Sequence, residues 1–294
     1  MDKKVKGAIL DLEAIKQFLQ QFEKENKLKF IYVVETGSRA YELSTKFSDY
    51  DLKGIFIDLK STYKQLEQEG FQDESFGKTK LQRFKQTGIK VKNIQTEVDI
   101  DFFELNFYFS NLQNEEESLL YWLSSQSIYI NCVDQLIQNI LSEMNLPRKE
   151  ILERIQKDYA KSQNNQKREA KKNINMIIDS LRLLYIQLFE LNSPYIISQL
   201  IQELQEKLSS DEIPSPINDI VQNIDQEIQE LFYMKKNGKG SQQIVAKEDW
   251  IKLVCYAIDQ EKTKPKEIGD KIKSNNQIKE SLLKIYNEII QKIQ

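Results

Sequence analysis

Histidine is absent from all 294 residues, and that absence removes more chemistry than any other feature of the composition. Without imidazole there is no Ser-His-Asp or Cys-His relay and no histidine-ligated zinc or iron site. Any general base must be a carboxylate, a lysine, a tyrosine or water. Cysteine is nearly missing as well. Cys132 and Cys255 are too few for a disulfide framework or a four-cysteine zinc site, so a reducing intracellular compartment is expected, cytoplasmic or nuclear and not secreted. No run approaches the roughly 18 apolar residues that span a bilayer, and no membrane association is expected. Residues 1–19 break their apolar positions with Asp, Glu and Lys, which a signal peptide does not do. A net charge of −3 and a pI near 5.5 argue against a bulk electrostatic nucleic-acid binder and leave only local basic patches.

What is present is concentrated in residues 37–52. Gly37-Ser38 follows the apolar run Phe30-Ile31-Tyr32-Val33-Val34, and Asp49 and Asp51 then stand one residue apart, flanked by Tyr50 and Leu52. Successive side chains on a strand alternate faces, so a strand here aims Asp49 and Asp51 the same way. Two such carboxylates repel each other unless a cation lies between them, and they are the oxygen ligands that Mg²⁺ prefers. A Gly-Ser turn that opens a helix offers free backbone N–H groups to an anion such as a triphosphate. Metal ligands beside a phosphate cradle are the equipment of phosphoryl or nucleotidyl transfer.

The pattern of apolar strand, Gly-Ser and Asp-x-Asp resembles the signature of the DNA polymerase β-like nucleotidyltransferase superfamily. Gly37-Ser38-Arg39-Ala40-Tyr41 and Ser48-Asp49-Tyr50-Asp51-Leu52-Lys53-Gly54-Ile55-Phe56 are similar to the G-S-R-A-[WY]-G and S-D-x-D-h-R-G-h-[FY] of a predicted nucleotidyltransferase branch linked to RNA repair. Glu42 stands where that branch has a second glycine, and Lys53 stands for its arginine. Two-metal transfer of this kind needs a third carboxylate on a neighbouring strand. The segment Val98-Asp99-Ile100-Asp101-Phe102-Phe103-Glu104-Leu105 and the later Leu119-Leu120-Tyr121-Trp122-Leu123-Ser124 resemble the family's downstream motif. In that register Asp99 is the third ligand and Asp101 the alternative. Glu104 reads as a solvated strand-end charge, and the cluster of Leu120, Tyr121 and Trp122 as core.

The resemblance implies an α+β protein: a small mixed β-sheet nucleotidyltransferase domain backed by helices over 1–112, then a mainly helical domain over 113–294 that closes the nucleotide and acceptor cleft. It implies a transferase that moves an NMP from an NTP to a hydroxyl, with an RNA 3′ end as acceptor. Two Mg²⁺ ions, with Mn²⁺ as substitute, are implied at Asp49, Asp51 and Asp99. NTP contacts are implied at Gly37, Ser38, Arg39, Lys53 and Arg182, the last within Arg182-Leu183-Leu184; Lys172 is a weaker match. The other reading is a catalytically weak nucleotidyltransferase-fold subunit that serves as a scaffold in an RNA-processing, polymerase-containing complex.

Elsewhere the pattern is simpler. Ile9, Leu12, Ile15, Leu19 and Phe22 mark a helix over 8–26, and strands are expected over 30–35, 49–58 and 94–101, with a short helix over 61–69 between them. From 102 onward the periodicity predicts helices almost without interruption: 102–112, 118–124, 148–191, 193–208, 215–234, 248–259 and 277–293. Residues 70–92 read as a loop or hairpin. Lys78, Lys80, Arg83, Lys85, Lys90 and Lys92 fall there without an intervening acid, and Phe84 lies among them. This stretch reads equally as an arm that touches RNA phosphates and stacks a base or as a solvated loop.

Overall fold

A computed structural model of the chain describes residues 3–41, 44, 48–59, 82–113, 122–143, 148–162, 168–189, 193–194, 196–208, 215–234, 237, 243–244, 246–263 and 275–293. The chain divides into two units: residues 1–40, 47–145 and 273–294 form the first, and 41–46 with 146–272 form the second. The architecture is α+β, as the sequence implies. Among the described residues no helix is long and apolar enough to cross a membrane.

The first unit is a five-stranded sheet in the order β3-β4-β2-β1-β5. Its strands are β1 (Leu28–Thr36), β2 (Tyr50–Asp58), β3 (Arg83–Ile89), β4 (Val98–Glu104) and β5 (Ile128–Asn131). β2 and β4 run parallel; the other neighbouring pairs are antiparallel. From Phe30 to Thr36, β1 is buried at every residue, as a strand must be when both its faces are covered. One face packs Phe30, Val33, Tyr50, Leu52, Phe56, Val98, Ile100 and Phe102 against Ile15 and Leu19 of α1 (Lys3–Asn26). Leu12, placed on that stripe by spacing, is 37 % exposed. The other face packs Ile55, Ile57 and Phe103 against α3 (Leu105–Gln113), α4 (Asp134–Glu143) and α10 (Asn275–Ile293), with Trp122 stacked on Tyr32 and Phe103. Trp122 is core, as expected; Leu120 and Tyr121 lie outside the described residues.

The structure differs from the sequence reading at four places. The third strand begins at Val98 and runs on to Glu104, so 102–104 are strand and not helix; parallel pairing of Phe102 with Gly54 and Phe103 with Ile55 holds them there. β5 interrupts the expected helical region because Ile128–Asn131 closes the free edge of β1. The stretch 148–191 is two helices, α5 (Arg148–Ser162) and α6 (Ala170–Phe189), separated by a two-residue strand β6 (Arg168–Glu169). The first unit ends near 145, not 112, and takes back the C-terminal helix, because Leu282, Ile285, Tyr286 and Ile289 complete its core. The helix expected over 61–69 lies outside the described residues.

The second unit is helical. α6, α7 (Ile197–Leu208), α8 (Ser215–Met234) and α9 (Glu248–Thr263) share one apolar cluster centred on Ile177, Leu181, Leu204, Val221 and Leu253. A smaller cluster joins α5, α6 and α9 through Ile155, Leu183 and Val254. β6 pairs with β7 (Gln243–Ile244).

Gly54 lies in β2 where β1 approaches closely. A Cβ there would lie 2.8 Å from the Tyr32 carbonyl oxygen and 2.9 Å from Val33 Cγ2. Both are core atoms with no room to retreat, so Gly54→Ala is expected to destabilise the protein by about 1–3 kcal/mol. Urea unfolding of the full chain measures it.

Candidate functional site

Strand register builds the site. On one sheet face the register partners form successive rows across the strands. The outermost is Thr36, Asp51 and Asp99; next come Val34, Lys53, Asp101 and Lys85; then Tyr32, Ile55, Phe103 and Arg83. The third row is largely buried under the helices, while Asp51, Asp99, Asp101 and Lys53 stay half-buried and Lys85 is exposed. Asp51 and Asp99 are therefore direct neighbours on parallel strands, whose spacing is about 4.8 Å. Asp49 is exposed and immediately precedes β2. Among the described residues no group of three or more acidic, cysteine or histidine side chains is gathered closely enough to hold a metal ion.

The Gly-Ser turn meets the carboxylates directly. Gly37 opens the single-turn helix α2 (Gly37–Ala40) with φ +68°. A Cβ on it would lie 2.0 Å from Asp51 Oδ2. Only glycine accommodates both that backbone conformation and that contact. The Thr36 hydroxyl donates to the Asp51 carbonyl oxygen at 3.2 Å, which ties the end of β1 to the start of β2.

The two candidates for the third carboxylate are treated differently by their surroundings. Asp101 is held by the Arg83 guanidinium through two bonds, Nε to Oδ1 at 2.6 Å and Nη2 to Oδ2 at 2.8 Å, and Arg83 also covers the Phe103 ring. A bidentate arginine occupies both carboxylate oxygens. Asp99 accepts one bond, from the Gly88 N–H at 2.8 Å, across the β3–β4 hairpin. Glu104 is not the solvated charge its position suggests. It is fully buried, and Oε2 accepts from the backbone N–H groups of Asn106 and Phe107 while Oε1 accepts from the Asn106 side chain. The first N–H groups of α3 have no partner within the helix, and Glu104 supplies one.

Arg39 is engaged within the first unit. Its Nε donates to the Ser48 carbonyl at 3.1 Å, and its guanidinium lies 3.8 Å from the centre of the Tyr50 ring. Glu35 Oε1 is 3.9 Å away. Arg182 belongs to the second unit, on α6, and is 3 % exposed; its guanidinium lies over the Tyr41 ring, and Nη1 is 3.9 Å from Asp179. Arg154 grips Asp179 with two bonds; burial pushes the Asp179 carboxyl up, and Arg154 opposes that. Lys172 is exposed and 3.4 Å from Glu169. Lys78, Lys80 and Glu42 lie outside the described residues.

Glu35 is the residue that sequence reading passed over. It ends the apolar run of β1 and is only 7 % exposed. Oε2 accepts from the Tyr129 hydroxyl at 2.9 Å, and Oε1 has no hydrogen-bond partner. Burial pushes its carboxyl up to about 7, with Asp51 adding to the rise and Tyr129 and Arg39 resisting it. The one signal in the chain is a carboxylate at the end of an otherwise apolar strand, next to Gly-Ser.

A carboxyl that holds its proton more tightly in the folded chain makes the fold less stable as pH rises from the unfolded value to the folded one. Between about pH 4.5 and 7 Glu35 is therefore expected to lower stability progressively, by on the order of 3 kcal/mol in total. Glu35→Gln removes that slope: relative to the parent it should gain stability at pH 8 over pH 5, measured by denaturant unfolding at both.

A known protein matches this chain in part and one family matches it over most of its length. The chain is similar to the Bacillus subtilis (strain 168) protein described as "Uncharacterized protein YcgL", with 29 % identity over 111 residues. That stretch is 38 % of this chain and 36 % of the relative, so the match spans about a third of each. A family model matches far more, residues 12–283, which include the Gly-Ser turn, all the candidate carboxylates and the helical unit. The chain belongs to RlaP, the RNA repair pathway DNA polymerase beta family, and so to the nucleotidyltransferase-like superfamily.

Proposed function

We propose that this protein is a metal-dependent nucleotidyltransferase that transfers an NMP from an NTP to a hydroxyl, with an RNA 3′ end as acceptor. The observation that carries it is the register pairing of Asp51 with Asp99, beside a Gly37 whose missing Cβ leaves room only for the Asp51 carboxylate. Family membership supports the reaction class.

Asp51 and Asp99, neighbours in register, and Asp49 just before β2 offer the oxygen donors that a hard divalent cation such as Mg²⁺ or Mn²⁺ prefers, and would have to draw together to hold one. When bound, such ions would neutralise triphosphate charge and favour ionisation of the attacking hydroxyl. Gly37 and Ser38 present backbone N–H groups to the β- and γ-phosphates, and Lys53, in the row behind Asp51, adds positive charge on the same face. With no histidine in the chain, Asp99 receives the proton of the acceptor hydroxyl. The hydroxyl oxygen bonds to the α-phosphorus, and the α–β bridging oxygen leaves with pyrophosphate. Arg182 is not needed for this reading. Asp101, paired with Arg83, is left out of this ligand set.

Lys85 extends the charged face outward on the edge strand β3, where an RNA phosphate can reach it. The second reading, a catalytically weak subunit within an RNA-processing complex, is favoured by the lack of an assembled three-ligand cluster among the described residues. A weak subunit would show no metal-dependent NTP binding in calorimetry and would co-purify with a polymerase or nuclease.

Each of the four radiolabelled NTPs, offered with RNA, protein and small-molecule acceptors, tests the assignment. Label is expected in RNA in the presence of Mg²⁺ or Mn²⁺, and the double variant Asp49→Ala/Asp51→Ala should lower it by roughly three orders of magnitude or more. Undiminished incorporation by that variant would overturn the proposal. Lys85→Ala should weaken RNA binding across sequences and reduce the salt slope of binding by about one, measured by fluorescence anisotropy at several salt concentrations.

A further inference from the structure

Arg39 holds the two residues that flank Asp49. Its Nε–H bonds the carbonyl of Ser48 on one side, and its guanidinium lies against the ring of Tyr50 on the other. Ser48 precedes β2, so its carbonyl lies outside the strand ladder and takes its partner from a side chain. Tyr50 is itself fixed at both ends: its ring is buried, and its hydroxyl donates to Asp11 of α1 at 2.7 Å. Glu35, anchored by Tyr129, stands on the remaining side of Arg39.

The arginine therefore joins four elements of the first unit, namely α1 through Tyr50, β1 through Glu35, the Gly-Ser turn on which it sits, and the segment that carries Asp49. A planar guanidinium can donate in its plane and stack on a ring at the same time. Lysine, a flexible point charge, cannot do both. Asp49 is exposed, and the backbone on either side of it is where Arg39 takes hold. Gly37 meanwhile touches the Asp51 carboxylate. The turn and the Asp-x-Asp segment thus meet at Gly37–Asp51 and through Arg39.

We propose that Arg39 is a positioning residue that locks the Asp49 segment to the Gly-Ser turn, rather than a ligand of the triphosphate. The proposal rests on the nucleotidyltransferase reading for its consequence at the metal site, but the lock itself is a property of the fold. Partners that orient metal ligands are typically worth 10–100-fold in metal affinity when removed.

The test uses the full chain with Arg39→Ala, Arg39→Gln and Arg39→Lys. Amide hydrogen exchange is followed at residues 48–51, with residues 54–57 of β2 as internal reference, and Mn²⁺ alone is titrated by electron paramagnetic resonance. The expected result is faster exchange at 48–51 with 54–57 unchanged, and a Mn²⁺ dissociation constant raised on the order of 10-fold, with Arg39→Lys restoring neither. Unchanged exchange and Mn²⁺ affinity in Arg39→Ala would overturn the proposal. Full restoration by Arg39→Lys, or weakened ATP binding in EDTA with exchange unchanged, would also overturn it, the latter making Arg39 a phosphate ligand. Should Arg39→Ala not fold, Arg39→Gln and Arg39→Lys decide by the same readouts. If the parent binds no Mn²⁺, the nucleotidyltransferase reading fails while the exchange result still decides the lock.

Discussion

The parallel pairing of β2 with β4 is the constraint on which the rest of the site depends. It sets Asp51 against Asp99 and Lys53 against Asp101 in consecutive rows. A slip of one residue would send every side chain of one strand to the opposite face. Register is fixed by the C-terminal halves of the same strands, where Phe102, Phe103 and Ile55 are buried and Gly54 leaves no slack against Tyr32 and Phe102. Apolar packing at one end of the strands thus aligns carboxylates at the other.

The sheet divides its labour by face. One face carries the rows of acidic and basic groups at its open end and a helix-covered core at the other. The opposite face is apolar over most of its length but includes a polar corner: Glu35, Tyr129, Tyr50 and Asp11, with Arg39 against them. Burial raises the Glu35 carboxyl because desolvation outweighs the help of Tyr129 and Arg39.

The helical unit shows the same economy of polar groups inside an apolar frame. Asp179 is desolvated on α6 and compensated by the two bonds from Arg154, with Arg182 nearby over Tyr41. Breaking such a pair leaves a buried charge uncompensated, so these arginines bear on the fold of the unit whatever else they touch.

By itself the sequence determined the chemistry on offer and the local elements. The absence of histidine left carboxylate, lysine, tyrosine or water for any acid–base work, and periodicity located α1, β1, β2 and most of the later helices, because alternation and 3.6-residue spacing are local properties. The Gly-Ser and Asp-x-Asp spacing also pointed to the family. Only the tertiary structure revealed that Asp101 is held by Arg83 while Asp99 is not, since that turns on Arg83 arriving from an edge strand. It also decided β5, the return of α10 to the first core, the capping role of Glu104 and the burial of Glu35. Each depends on residues far apart in the chain meeting across a sheet or helix face. Pairing and desolvation at that distance leave no periodic trace in the sequence.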